Sequence, residues 1–278
     1  MLSYFLSEQA LRRFANHFGD TYHTKCPICE GSSIDSVWKI PFGRYPEQWI
    51  VSFGPETVIE YYACDTCESV FKNPYDSTEH ELPVTVPGWG QDRITRFAAG
   101  VTEGYRDRYN YISPYIPKES KIVIDAACGG AEYLQLIRDD PAFHVEHFVG
   151  LELAPLVVQH VKSLGFDGRQ ADLKSPGYAP DLEGRVDCVI FSEVIEHVIF
   201  PLRTLRYLVK LLRPGGTLWF SAQRAAPGLL VRMGEDCALT QHGVLLLAER
   251  LNCAVVKMDP VCDDNPEWYV VFQKPQEL

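Results

Sequence analysis

The chain has 278 residues, 46% hydrophobic and 23% charged, enough for one large domain or one domain plus a smaller module. A net charge of -11 counts against a general nucleic-acid binder and against docking on anionic membrane, although a local basic patch is compatible with it. No apolar run approaches the roughly 18 residues of a membrane span, and the opening MLSYFLSEQALRRFANHF meets Glu8, Arg12 and Arg13 too soon for a signal peptide.

The expected setting is therefore cytoplasmic. There the nine cysteines stay mostly reduced, and metal binding or burial explains them better than disulfides.

Residues 1–85 read as a first module that begins with an N-terminal helix. It carries Cys26 and Cys29 in CPICE and Cys64 and Cys67 in CDTCE, with the strand-like segments SVWKIPF and ETVIEYYA between them. Two such knuckles supply four thiolates, which suits a closed tetrahedral zinc site with a structural role; iron also accepts four thiolates. Residues 86–119 read as a connector, VPGWGQDR, followed by a helix marked by Tyr105, Tyr109 and Ile112 and broken by Pro114 and Pro117.

From residue 120 to 278 strands and helices alternate. The strand candidates are KIVIDA, EHFVGLE, DGRQADL, VDCVIFSE, TLWFSAQ, CAVVKM and WYVVFQK; the helix candidates are 131–139, 155–164, 201–212 and 240–251. Gly165 and Pro214-Gly215-Gly216 are expected to end two of these helices. The pattern predicts an α/β fold: a Rossmann-like, mostly parallel sheet with helices on both faces, plus a small N-terminal zinc-ribbon-like β module. In such a sheet ligands bind at the C-terminal strand ends, and every candidate below falls there.

In KIVIDAACGGAEYLQLI, Asp125 ends a strand and Cys128, Gly129 and Gly130 form a small-residue turn before a helix. Ala127 and Ala131 stand where glycine would be expected, so binding weakens if either position requires positive φ. The spacing does not supply the G-x-G-x-x-G of a dinucleotide loop, and a carboxylate-bearing ligand needs less glycine. Glu152, at the end of the second strand, can accept both hydroxyls of a ribose, and Asp172, after the third, can accept from an adenine amino group. Together these describe an adenosine-type ligand.

VIDAACGG, VGLE, ADL, VDCVIFSEVIEHV and LLRPGGTLWFS occur in the order seen in class I S-adenosylmethionine-dependent methyltransferases, which residues 120–275 resemble. The resemblance implies that Asp125 and the Cys128, Gly129 and Gly130 backbone face the amino-acid end of S-adenosylmethionine. It also implies that Glu152 binds the ribose, Asp172 and Leu173 the adenine, and that Ser192 lies beside the methionine part. A four-cysteine module ahead of such a domain is similar to that of deoxysugar C-methyltransferases and related sugar-modifying enzymes.

FSEVIEHV places Glu193, Glu196 and His197 at i, i+3 and i+4, on one face if helical. Three readings stand: His197 as general base, a divalent cation on all three side chains, or a pocket-shaping segment. The cation reading resembles the E-x-x-E-H site of metal-dependent O-methyltransferases. His242, at a helix start, is placed to assist His197 or is an ordinary helix-start residue. Tyr105, Tyr109 and Tyr111 precede the domain, and the family implies that one of them reaches the active site.

The function expected is S-adenosylmethionine-dependent methyl transfer to a small-molecule or glycan acceptor, at oxygen before carbon or nitrogen. His197, Glu196 and His242 are the catalytic candidates. The rivals are a zinc-ribbon interaction protein with a non-catalytic Rossmann-like scaffold and an RNA methyltransferase. Neither the oligomeric state nor the acceptor is written in the sequence.

Overall fold

A computed structural model describes residues 23–41, 58–72, 95, 100–225, 237–260 and 267–276. The expected N-terminal helix, the VPGWGQDR connector and Cys262 lie outside the described residues.

Among the described residues the first three strands are β1 (Ile34–Pro41), β2 (Val58–Cys64) and β3 (Val70–Lys72). Helix α1 (Glu103–Ile112) runs into a 3₁₀ turn, Ser113–Tyr115, that holds Pro114. Then come β4 (Glu119–Ala126), α2 (Glu132–Asp139), β5 (His144–Glu152), α3 (Pro155–Ser163), β6 (Asp167–Gln170), β7 (Val186–Phe191), α4 (Pro201–Leu211) and β8 (Leu212–Gln223). The last elements are β9 (Cys237–Ala238), α5 (Gln241–Arg250), β10 (Ala254–Pro260) and β11 (Glu267–Gln273).

The large sheet has seven strands in the order β10-β11-β8-β7-β4-β5-β6. β4 pairs in parallel with β5 and β7, while β11 pairs antiparallel with β8 and β10. The expected fold is thus met. The chain leaves β4 to build β5 and β6 on one side, then returns to place β7 and β8 on the other. That reversal opens the crevice at the C-terminal end of β4.

The central strands alternate between two cores. Ile122, Ile124 and Ala126 of β4 join one apolar cluster with α4, and Val123 joins the other with Tyr109, Leu134 and Val157. Both faces are covered, so β7 reads as an unbroken buried run.

Helix boundaries follow local chemistry. Proline occupies the first turn of α3 and α4, where its missing N–H costs nothing. Gly165, at φ +87°, stops the chain just past α3, as expected. Pro214-Gly215-Gly216 does not stop α4. That helix ends at Leu211, and the three residues lie inside β8, at an irregularity where Val186 faces Leu212 but Cys188 faces Thr217. A Cβ on Gly216 would come within 2.9 Å of the Val186 carbonyl, so the segment hugs the neighbouring strand instead of turning away.

The second sheet has the order β1-β2-β3-β9. Its last strand comes from residues 237–238, far along the chain: Phe71 pairs with Cys237 and Val70 with Ala238. Cys26, Ile28, Cys29, Cys64, Cys67 and Phe71 belong to the same apolar cluster as Leu202, Leu205 and Phe220. The described cysteine segments thus share one apolar cluster with the large sheet.

Candidate functional site

The turn between β4 and α2 takes an alternating backbone: Ala127, Gly129 and Ala131 have φ of 60°, 52° and 59°, all left-handed. Both alanines flagged in the sequence thus sit where glycine would be strain-free, at a cost of about 1–2 kcal/mol each. Within the turn the Cys128 N–H donates to the Leu151 carbonyl, the Gly129 N–H to the Glu152 carboxylate and the Ala131 N–H to the Cys128 carbonyl. Ala131 is also the N-cap of α2, in a conformation unlike the extended one N-caps usually take.

Three buried acids surround this turn: Asp125, Glu132 and Glu152, at 2%, 4% and 4% exposure. Glu152 is held by backbone donors, accepting from the N–H groups of Gly129 (3.2 Å), Leu153 (2.8 Å) and Ala154 (3.3 Å). Its remaining lone pairs leave capacity for a ligand hydroxyl. Asp125 Oδ2 is buried without a hydrogen-bond partner. Burial, followed by the charges of Glu132 and Glu152, holds the Asp125 carboxyl well above the usual carboxylate range. The cluster is built to receive positive charge.

Cys128 closes the floor. Its N–H donates to the Leu151 carbonyl at 3.0 Å, and a Cβ on Gly150 would stand 2.9 Å from its sulfur, which explains the glycine in VGLE. Burial, then the nearby acids, pushes its thiol pKa up. Gly130 uses its carbonyl to accept from the Gln135 side chain at 3.0 Å.

Asp172 and Leu173 lie just beyond β6, which stops at Gln170. The Asp172 carboxylate accepts from the Lys174 N–H at 3.0 Å, and the Leu173 carbonyl from Thr204 Oγ1 at 3.2 Å. Ser192 Oγ lies 3.0 Å from the Tyr133 hydroxyl.

Sequence reasoning missed Tyr133, Trp219 and Arg108 beside this loop. Tyr133 packs edge-on to Trp219 (ring centroids 5.5 Å apart) and against Tyr105 of α1 (5.3 Å). Tyr105 is the pre-domain tyrosine that faces the acids: burial, then Glu132 and Asp125, raises its pKa. Tyr109 instead donates to Asp140, and Tyr111 to Asp259. Arg108 of α1 pairs with Glu193 and donates to the Tyr269 hydroxyl at 3.2 Å. Burial works against the Arg108 charge, but Glu193, Tyr133 and Tyr269 together outweigh it and its pKa is raised. The only sequence signal was the aromatic spacing around Arg108.

Glu193, Glu196 and His197 do not share a face. Glu193 has φ 53° and turns to Arg108, and only Ile195–His197 form a 3₁₀ turn; Glu196 is buried while His197 is exposed. Among the described residues, one group of three or more ligand atoms gathers within 4.8 Å, and it is the four cysteines. The helical face expected for Glu193, Glu196 and His197 is not formed, because the left-handed φ at Glu193 breaks its register. His242 is exposed in the first turn of α5, whose N-cap Thr240 bonds to the second cysteine knuckle.

The two knuckles repeat one geometry. The Glu30 N–H donates to the Cys26 carbonyl and the Glu68 N–H to the Cys64 carbonyl, and both residues have left-handed φ, 63° and 58°. The Sγ atoms of Cys26 and Cys67 are 3.7 Å apart, those of Cys29 and Cys64 3.5 Å. Four thiolates at about 2.3 Å from a tetrahedral zinc stand about 3.8 Å apart, so the buried set fits that ion. The close Cys26–Cys67 contact raises Cys26 and lowers Cys67 to about 5.

A family model described as a methyltransferase domain matches residues 97–267, more than half of the chain. The chain belongs to this methyltransferase family. Among curated relatives, the ubiquinone biosynthesis O-methyltransferase of Marinobacter nauticus is 29% identical over 126 residues, covering 43% of this chain and 51% of the relative. That of Pseudomonas entomophila is 27% identical over 138 residues, covering 48% and 58%. This methyltransferase-family chain spans about half the length of the curated relatives it matches.

Among solved structures, the Burkholderia thailandensis 1,6-didemethyltoxoflavin-N1-methyltransferase has a TM-score of 0.52 at 14% identity, covering 75% of this chain and 96% of that one. The [4+2]-cyclase SpnF has a TM-score of 0.51 at 15% identity, covering 64% and 84%. A cyclase on the same fold shows that the reaction must be argued from the site. Among the described residues, no helix is long and apolar enough to cross a membrane.

Proposed function

We propose that this chain is an S-adenosylmethionine-dependent methyltransferase that methylates an oxygen of a small-molecule acceptor, with a structural zinc ion on Cys26, Cys29, Cys64 and Cys67. The observation that carries the reading is the buried Asp125 carboxylate, with one unpartnered oxygen, beside Glu132 and Glu152. Ionising such a group costs stability unless a cationic ligand meets it. Membership of the methyltransferase family supports the assignment, as do relatives named O-methyltransferases.

Asp125 would hold the ammonium, and the Cys128, Gly129 and Gly130 backbone the carboxylate of the amino-acid end. Glu152 would take the ribose hydroxyls, Asp172 and Leu173 the adenine, and Ser192, tied to Tyr133, would border the methionine chain. The bound cofactor's chemistry is a methyl group activated on a sulfonium. Tyr105, Tyr133 and Trp219 would exclude water and align the acceptor for in-line attack. His197, exposed on its turn, would take the hydroxyl proton, with Glu196 behind it and His242 as a further candidate. A sugar hydroxyl fits the same chemistry. We place the chain in the cytoplasm, where the cysteines stay available to metal.

The scaffold alternative drew on Ala127 and Ala131. Both hold the turn that glycine would, which supports retained binding over decay. Calorimetry with S-adenosylhomocysteine tests the reading: binding is expected, with Asp125→Asn weaker, and a wild type that does not bind would sink it.

A further inference from the structure

We infer that the four-cysteine module is a positioning device for the acceptor side of the site: its knuckles hold the His197 turn and the start of α5, and leave the Asp125–Gly129–Glu152 loop to its own supports. This rests on the function proposed above.

The His197 turn is bracketed on both flanks. On the far side, the carbonyl of Pro27, inside the first knuckle, accepts from the Leu202 N–H at 3.3 Å. The His23 ring stands edge-on to Phe200 (5.4 Å) and to Phe71 of β3 (5.5 Å). On the near side, Cys237 Sγ donates to the carbonyl of Ile195, the turn's first residue, at 3.4 Å. Cys237 itself is ladder-paired to Phe71, four residues past Cys67.

The second knuckle grips α5. Thr240 Oγ1 donates to the Cys67 carbonyl at 2.5 Å and also accepts from the Gly243 N–H at 2.9 Å. The Thr240 N–H donates to Ser69 Oγ at 3.1 Å. Contact is so close that a Cβ on Gly243 would fall 2.1 Å from Ser69 Oγ and displace that hydroxyl. One hydroxyl thus joins a metal-ligand carbonyl to the helix carrying His242, and β9, ending two residues earlier, carries the link to Ile195.

The loop at Asp125 is supported otherwise. Its hydrogen bonds run from Cys128 to Leu151, Gly129 to Glu152, Ala131 to Cys128 and Gln135 to Gly130. Closing the cysteine site fixes the carbonyls of Pro27 and Cys67, because binding free energy at such a site is folding free energy for the knuckles. Thr240 and Ser69 are accordingly positioning residues.

The test is hydrogen exchange by mass spectrometry on the full, zinc-loaded chain, before and after chelation, with Thr240→Val and Thr240→Ser beside it. Chelation should speed exchange in residues 195–202 and 240–247 by about tenfold or more, leave 125–135 within about twofold, and leave S-adenosylhomocysteine affinity within about threefold. Thr240→Val keeps the cysteines, and so serves where chelation unfolds the chain. It should speed 195–202 as well as 240–247, and Thr240→Ser should restore both; a lost helix cap alone would move only the first turn of α5. Unchanged exchange at 195–202 in Thr240→Val, or an equal rise at 125–135, would overturn the inference. Failure of the wild type to bind S-adenosylhomocysteine would instead strike the proposed function and leave the exchange pattern as a fact of the fold.

Discussion

Replacing Ala127 by glycine should stabilise the ligand-free protein, although glycine usually destabilises. Ala127 sits at φ 60° and is partly exposed. An alanine there pays about 1–2 kcal/mol in contact between Cβ and carbonyl, which glycine does not. Against this, glycine makes the unfolded chain more mobile, at about 0.4–1 kcal/mol. The net gain is about 0.5–1 kcal/mol, read as a Tm rise of about 1–4 °C in a chain of this size. Ala131 has the same backbone but a fully buried methyl, at 0% exposure. Losing that methyl costs about 0.8 kcal/mol, so Ala131→Gly should come out near zero. Ala127→Val, branched at a left-handed position, should lose about 2 kcal/mol or more. Urea unfolding at constant m reads all three. If Ala127→Gly lost about 0.5 kcal/mol while Ala127→Val stayed neutral, the turn would not have this backbone.

His197→Ala should lower turnover about 10²-fold or more with S-adenosylhomocysteine affinity nearly unchanged; equal loss of both would mean the turn merely shapes the pocket. Arg108→Ala should speed cofactor release several-fold in stopped-flow measurements while costing about 1 kcal/mol or less in stability, since its pair with Glu193 is partly solvated. Cys64→Ser should abolish zinc retention by elemental analysis, against one ion per wild-type chain. Asp125 is held protonated to higher pH in the folded chain than in the unfolded one. Its contribution thus favours folding at low pH and fades as pH rises through the folded value. Asp125→Asn should therefore raise Tm at pH 8 and change it little at pH 4.

The strand–turn–helix at Asp125 was legible because period and composition agree there: a buried apolar run, small residues, then helix formers. The left-handed φ of Ala127 and Ala131 was not, since alanine's own preference is the opposite and only the surrounding packing imposes it. The two knuckles were legible from spacing alone. Cys237 as part of their sheet was not, because a two-residue strand carries no period. FSEVIEHV has the spacing of a helix face, but the backbone reverses at Glu193, and Arg108, 85 residues away in sequence, takes its carboxylate. Long-range ion pairs leave no local pattern. Pro214-Gly215-Gly216 has the composition of a helix stop and lies in a bulged strand, where close approach to β7 is what asks for glycine.

The central claim is that the buried acids at the end of β4 receive the cationic amino-acid end of S-adenosylmethionine. Calorimetry with S-adenosylhomocysteine across pH 5–9, on wild type and Asp125→Asn, tests it most directly. The ammonium favours ionised Asp125, so binding should release a proton and tighten with rising pH, by up to about tenfold per unit, until Asp125 is ionised in the free protein. Asp125→Asn should bind about 10- to 100-fold more weakly at pH 8, with that pH dependence removed. Equal affinity for the two proteins at every pH, or no binding by the wild type, would contradict the account.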